Sequence, residues 1–70
     1  MMWHFKRFSR YAIEEITENV ERYDTQDIRR AAQEAEYHYQ DGTYGCDIEW
    51  MISVQLKLND ELRRRGESTV

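Results

Sequence analysis

The sequence predicts an all-α fold, a compact three-helix domain. Three observations predict it. Apolar residues recur at helical spacing through the first half of the chain. Helix-capping residues stand ahead of the periodic segments, and the glycines fall between or after them. No proline interrupts any of the three segments. At 70 residues the chain makes one domain, 1–70. A core of that size seldom supplies more than roughly 3–5 kcal/mol. Cys46 is the only cysteine, so no internal disulfide can add to it. Good helix packing or association must make up the difference, so self-association is expected as one means of support.

The first segment runs over about 5–23 at about 100° of turn per residue. Phe5, Phe8, Ala12, Ile16, Val20 and Tyr23 share one side, with Ile13 at its edge. Lys6, Arg7, Arg10, Glu14, Thr17, Glu18 and Glu21 take the opposite side. Ser9 offers an alternative N-cap that would leave 2–8 outside the helix.

The second helix is expected over about 25–41, capped by Asp24 or Thr25, with Asp27 in its first turn where the helix dipole favours an acid. Ile28, Ala31, Ala32, Ala35 and Tyr39 form a narrow face, and its alanines admit a neighbouring helix closely. Gly42 stops the helix, and the stretch to Asp47 reads as a loop.

The third segment, about 47–65, fits two patterns. Cys46, Ile48, Trp50, Ile52, Val54, Leu56 and Leu58 alternate with mostly polar residues, as in a strand. Ile48, Met51, Ile52, Val54, Leu58 and Leu62 also share one broad helical side. Helix is the expectation: a strand over 46–58 would be long for so small a domain. Asp47 can cap, and Arg63, Arg64 and Arg65 fall in the last turn before Gly66. The alternative is an α+β fold with 46–58 as a strand. Residues 66–70 are expected to form a disordered tail.

The net charge of −4 opposes nucleic acid and anionic membranes. The ends are nevertheless basic and the stretch between them acidic. No run approaches 18 apolar residues, so no membrane span is expected. The basic, interrupted N-terminus does not read as a secretory signal, and a cytoplasmic protein is expected.

Little in the chain supports catalysis. Glu14, Glu18 and Glu21 at i, i+4 and i+7 could be read as ligands or a catalytic pair, but a solvated helix face is the expected role. Cys46 with His38 is the one nucleophile–base combination considered. Asp47 beside the thiol disfavours a reactive thiolate. His4, His38 and Cys46 show no repeated ligand spacing, so no metal and no cofactor are expected. The chain is therefore expected not to be an enzyme.

Two features point to binding. Along the first helix the bases come first and the acids last, against the helix dipole by about 0.3–1 kcal/mol per charge. Arg10–Glu14 and Glu18–Arg22 could offset part of this as i,i+4 pairs. Several aromatic residues also fall off the core faces: Trp3, Tyr37 beside Arg30, Tyr44 on the loop, and Trp50 opposite Ile48 and Ile52. Such residues dominate interface hot spots.

The expected function is a protein–protein interaction module that is self-associating or covered by a partner. Trp3, Glu14, Glu18, Glu21, Arg30, Tyr37, Tyr44 and Trp50 are its candidate surface. By analogy of size and charge alone, an inhibitor or adaptor of the kind made by phages and mobile elements fits this description, one that binds a larger host protein. The alternative is a nucleic-acid-binding regulator using Lys6, Arg7 and Arg10 at one end and Arg63, Arg64 and Arg65 at the other.

Overall fold

The computed structural model describes residues 7–70. They form three α-helices, α1 Arg10–Glu18, α2 Thr25–Gln40 and α3 Ile48–Arg64, with a 3-10 turn over Val20–Arg22 after α1. Among the described residues there is no strand, so the third segment is a helix and the fold is the all-α three-helix domain.

Each helix begins on a side-chain cap that satisfies a backbone N–H the helix itself leaves unpaired. Ser9 Oγ accepts from the Ala12 amide at 3.0 Å, Asp24 Oδ1 from Asp27 at 2.9 Å, and Asp47 Oδ1 from Trp50 at 2.8 Å. The second and third helices end in the same way. The Gly42 amide donates to Tyr39 O and Thr43 to His38 O; Gly66 donates to Arg63 O and Glu67 to Leu62 O. Both glycines sit at positive φ, 73° and 76°. This paired-bond terminus needs a left-handed residue, which glycine supplies without steric cost.

The helix expected over 5–23 is shorter and broken. It starts after Ser9 and ends at Glu18, where Asn19 leaves helical geometry at φ −134°, ψ 48°. Thr17 Oγ1 donates to Ile13 O at 2.7 Å, and Asn19 Nδ2 donates to Glu15 O. Such side chains offer the backbone alternatives to the helical ladder. The apolar face also turns: Ile13, expected at the edge, is fully buried, and Thr17, expected outside, is buried beside Ile16.

Packing follows from small residues on α2. Ala31, Ala32 and Ala35 are fully buried together with Ile28. Without long side chains on that face, neighbouring backbones come close enough for Gln55 Nε2 to donate to Ala32 O at 2.9 Å. From α3, Val54, Leu58 and Leu62 fill the remaining space at i,i+4 spacing. Fully burying a leucine or isoleucine of this kind stabilises by about 1.5–3 kcal/mol. Gln55 meets Ala32 while Arg65 meets Thr25, so α2 and α3 run antiparallel.

The C-terminal residues, expected to be a disordered tail, are placed by specific bonds. Arg29 donates to Ser68 O and pairs with Glu67, and Val70 exchanges two bonds with the Asn59 amide.

Candidate interaction surface

Trp50 was expected to project away from the core, and it does not. It packs against the core cluster, its indole Nε1 donates to Glu14 Oε2 at 2.9 Å, and its ring meets His38 edge-on. The reason lies in how α3 is rotated. With Val54, Leu58 and Leu62 at the centre of the buried stripe, residue 50 falls one turn up the same stripe. Glu14 is thereby drawn from the acidic ridge to the half-buried margin of the core.

The ridge itself does not persist. Glu18 is the last residue of α1 and Glu21 lies in the 3-10 turn, so the two do not continue one helical row. Both are exposed. The expected Glu18–Arg22 pair does not form among the described residues, because Asn19 breaks the helix between them. Arg10 and Glu14 do pair, loosely, at 3.9 Å.

Arg30 and Tyr37 are brought together on the outer side of α2 and joined by the segment ahead of α1. The Arg7 guanidinium lies 4.6 Å above the Tyr37 ring and pairs with Asp41 at 3.3 Å. Arg30 covers the Phe8 ring at 4.2 Å and pairs with buried Glu34 at 2.7 Å. Glu34 in turn accepts the Phe8 amide. These contacts dock the segment onto α2, leaving Tyr37 about half exposed. Tyr44 projects from the loop, 92% exposed. Trp3 and Lys6 lie outside the described residues.

Most of the cations expected to meet nucleic acid are engaged within the chain. Arg10 donates to Tyr44 O. Arg64 pairs with Asp60 and Glu61. Arg65 pairs with Glu61 and also donates to Thr25 Oγ1 and Val20 O. Among the described arginines of that set, only the Arg63 side chain makes no such contact.

The Cys46–His38 combination is not assembled. His38 spends both ring nitrogens elsewhere, Nε2 on Phe8 O at 2.7 Å and Nδ1 on Thr43 Oγ1 at 3.0 Å. Cys46 is buried, and burial pushes its thiol pKa up; Arg10 opposes this more weakly, while Glu14 and Asp47 add to it. Among the described residues, no group of three or more His, Cys, Asp or Glu side chains is placed to hold a metal ion. No described helix is long and apolar enough to cross a membrane.

The most prominent apolar surface was missed in the sequence. Ile48, Ile52 and Leu56 were assigned in part to the core side of the third helix. They stand instead on its outer side, 48%, 47% and 62% exposed. The signal was present in the alternation that resembled a strand. Within a helix, apolar residues at every second position separate into two i,i+4 rows on roughly opposite faces. Trp50, Val54 and Leu58 form the inner row, and Ile48, Ile52 and Leu56 the outer. Helix α3 is therefore apolar on two faces, and among the described residues only the inner one packs against the core.

No protein-family model, no curated protein and no solved structure matches the chain. The fold and its surface therefore define a class, an all-α three-helix domain with a two-faced third helix.

Proposed function

We propose that this chain is a non-enzymatic protein-interaction module that binds through the outer face of α3. One observation carries the reading: three large aliphatic residues in a single row stay about half exposed or more on a well-capped helix. Isolated exposed aliphatics are ordinary, but an aligned row of them marks a surface meant to be covered. The row is flanked by Glu49 and Asp60, which keep it soluble and give it an acidic margin. The acidic and aromatic surface expected from the sequence contributes less, since Glu14 and Trp50 are tied to each other. An inhibitor or adaptor role remains the form of module that the chain's size and acidity favour.

The nucleic-acid reading is weakened by the internal pairing of Arg10, Arg64 and Arg65. A mobility-shift titration with random DNA at low salt is expected to be flat.

The test is a photo-crosslinking amino acid placed at Ser53, beside the row, and at Gln26, on a different helix, in cells expressing the chain. Specific protein adducts are expected at Ser53 and not at Gln26, and Leu56→Lys is expected to abolish them. No adduct, or equal adducts from both sites, would overturn the reading.

A further inference from the structure

One face of α2 already holds a short stretch of chain, and the way it does so defines what it takes. Arg30, Glu34 and His38 stand at i, i+4 and i+8 and share a row, with Tyr37 and Asp41 beside it. The row meets both backbone groups of Phe8. Glu34 Oε1 accepts the Phe8 N–H, and His38 Nε2 lies 2.7 Å from the Phe8 carbonyl. A carbonyl only accepts, so Nε2 carries the proton and donates. Arg30 lies over the Phe8 ring. The Arg7 guanidinium rests its face on Tyr37 and gives a nitrogen to Asp41. Five side chains of one helix thus grip two consecutive residues, main chain and side chains alike.

We infer that this face of α2 is a recognition site for an Arg-Phe pair in a nonhelical segment, filled by the chain's own Arg7 and Phe8 and open to the same pair in a protein partner. The site is separate from the outer face of α3 and does not depend on it. Its centre is built: Glu34 is buried, and the amide it accepts is one of the bonds that offset the burial of its charge. Any replacement must bring an N–H to Glu34 and a carbonyl to His38, one turn further along. That polarity fixes the direction of the bound segment, and a Phe-Arg pair would set a ring where the guanidinium belongs. The hold on the chain's own pair is exchangeable. Arg7 and Phe8 precede the N-cap Ser9, so their release takes no turn from α1. The Arg7–Asp41 pair is more than half exposed on both sides, and such pairs hold weakly. The chain's net charge of −4 favours the approach of a basic segment. Binding in trans is then a competition with a tethered copy of the ligand, and its strength is set by that competition.

The test vacates the site in the full chain with Arg7→Ala and Phe8→Ala together and supplies the pair as the peptide acetyl-Arg-Phe-Ser-amide. Calorimetric titration and the thermal midpoint are the readouts. The peptide is expected to raise the midpoint of the double variant as its concentration rises. It is expected to bind wild type about tenfold or more weakly, since the tethered pair competes at an effective concentration of about millimolar or above. Acetyl-Phe-Arg-Ser-amide is expected to do neither. Tyr37→Ala in the vacated background is expected to weaken the peptide severalfold by removing the ring beneath the guanidinium. If the double variant does not fold alone, the peptide is added during refolding and is expected to restore helical circular dichroism where the reversed peptide does not. No effect of the peptide on the double variant, folded or unfolded, overturns the inference. So do equal effects of the two peptide sequences, or equal affinity for the double variant and wild type.

Discussion

The indole nitrogen of Trp50 donates to the carboxylate of Glu14 across 2.9 Å, joining α3 to α1. The bond explains how a tryptophan and a glutamate, each suited to a surface, both come to lie half-buried at the edge of the core. The indole needs an acceptor when it is buried, and the glutamate supplies one at the core margin. Glu14→Ala is expected to destabilise the fold by about 1 kcal/mol, with Glu14→Gln milder because its amide oxygen still accepts. Urea denaturation checks the magnitude. A red shift of the tryptophan emission in Glu14→Ala checks that Trp50 has lost its setting.

Three consecutive arginines close α3, and only one of them ties distant parts of the chain together. Arg65 donates to Glu61, to Thr25 Oγ1 and to Val20 O from one planar guanidinium. A lysine cannot reproduce that fork. Arg65→Lys is expected to cost about 1 kcal/mol, while Arg63→Lys and Arg64→Lys fall within about 0.5 kcal/mol of wild type. Thermal or urea midpoints of the three variants give the ranking.

Two loop glycines, both at positive φ, are expected to differ in their tolerance of alanine. Around Gly42 a new Cβ meets open space, so only the backbone conformation resists, at about 1 kcal/mol. At Gly45 the Cβ would fall 1.9 Å from Arg10 Nη1. That side chain must then leave the loop and its bond to Tyr44 O. Gly45→Ala is expected to cost about 2 kcal/mol, and removing the Arg10 side chain first should bring the two glycine substitutions closer together. A double-mutant cycle measures this coupling.

Stability should fall in alkaline solution. Burial raises the Cys46 thiol above its ordinary 9.0. Burial, and then the hydrogen bond to Glu15, raise the Tyr23 phenol above its ordinary 10.0. The folded protein therefore holds these protons at a pH where the unfolded chain has begun to release them. Stability from this source is complete below about pH 9 and declines as pH rises beyond it. Urea midpoints should be level near neutrality and drop toward pH 10, and Cys46→Ala should delay the start of the drop.

Helix number, order and caps were legible because each rests on local chemistry. Asp24, Asp47, Gly42 and Gly66 act on backbone groups within a few residues, and their effect can be read from the sequence. The end of α1 was not legible. It depends on Thr17 turning its hydroxyl to Ile13 O and on Arg65, 45 residues away, accepting the role of partner to Val20 O. The rotation of α3 was hidden for a related reason. Two apolar rows compete for one core, and the winner is decided by what α2 presents. Ala31, Ala32 and Ala35 leave room that Val54, Leu58 and Leu62 fill. Tyr37 and Tyr44 were placed correctly on the outside because few apolar neighbours compete for them, whereas Trp50 followed the row to which it belongs.

The alanine face of α2 also has a temporal consequence. Residues 7–41 can be synthesised and helical before any of α3 exists, yet a face of small side chains buries little against α1 alone. The leucines that cover it arrive at positions 58 and 62, and the arginine that binds the turn after α1 arrives at 65. A growing chain therefore gains its cooperativity only in its last segment. A ribosome stalled with residue 45 clear of the exit tunnel would hold a helical pair sensitive to protease, and one stalled with residue 70 clear of it would hold a resistant domain.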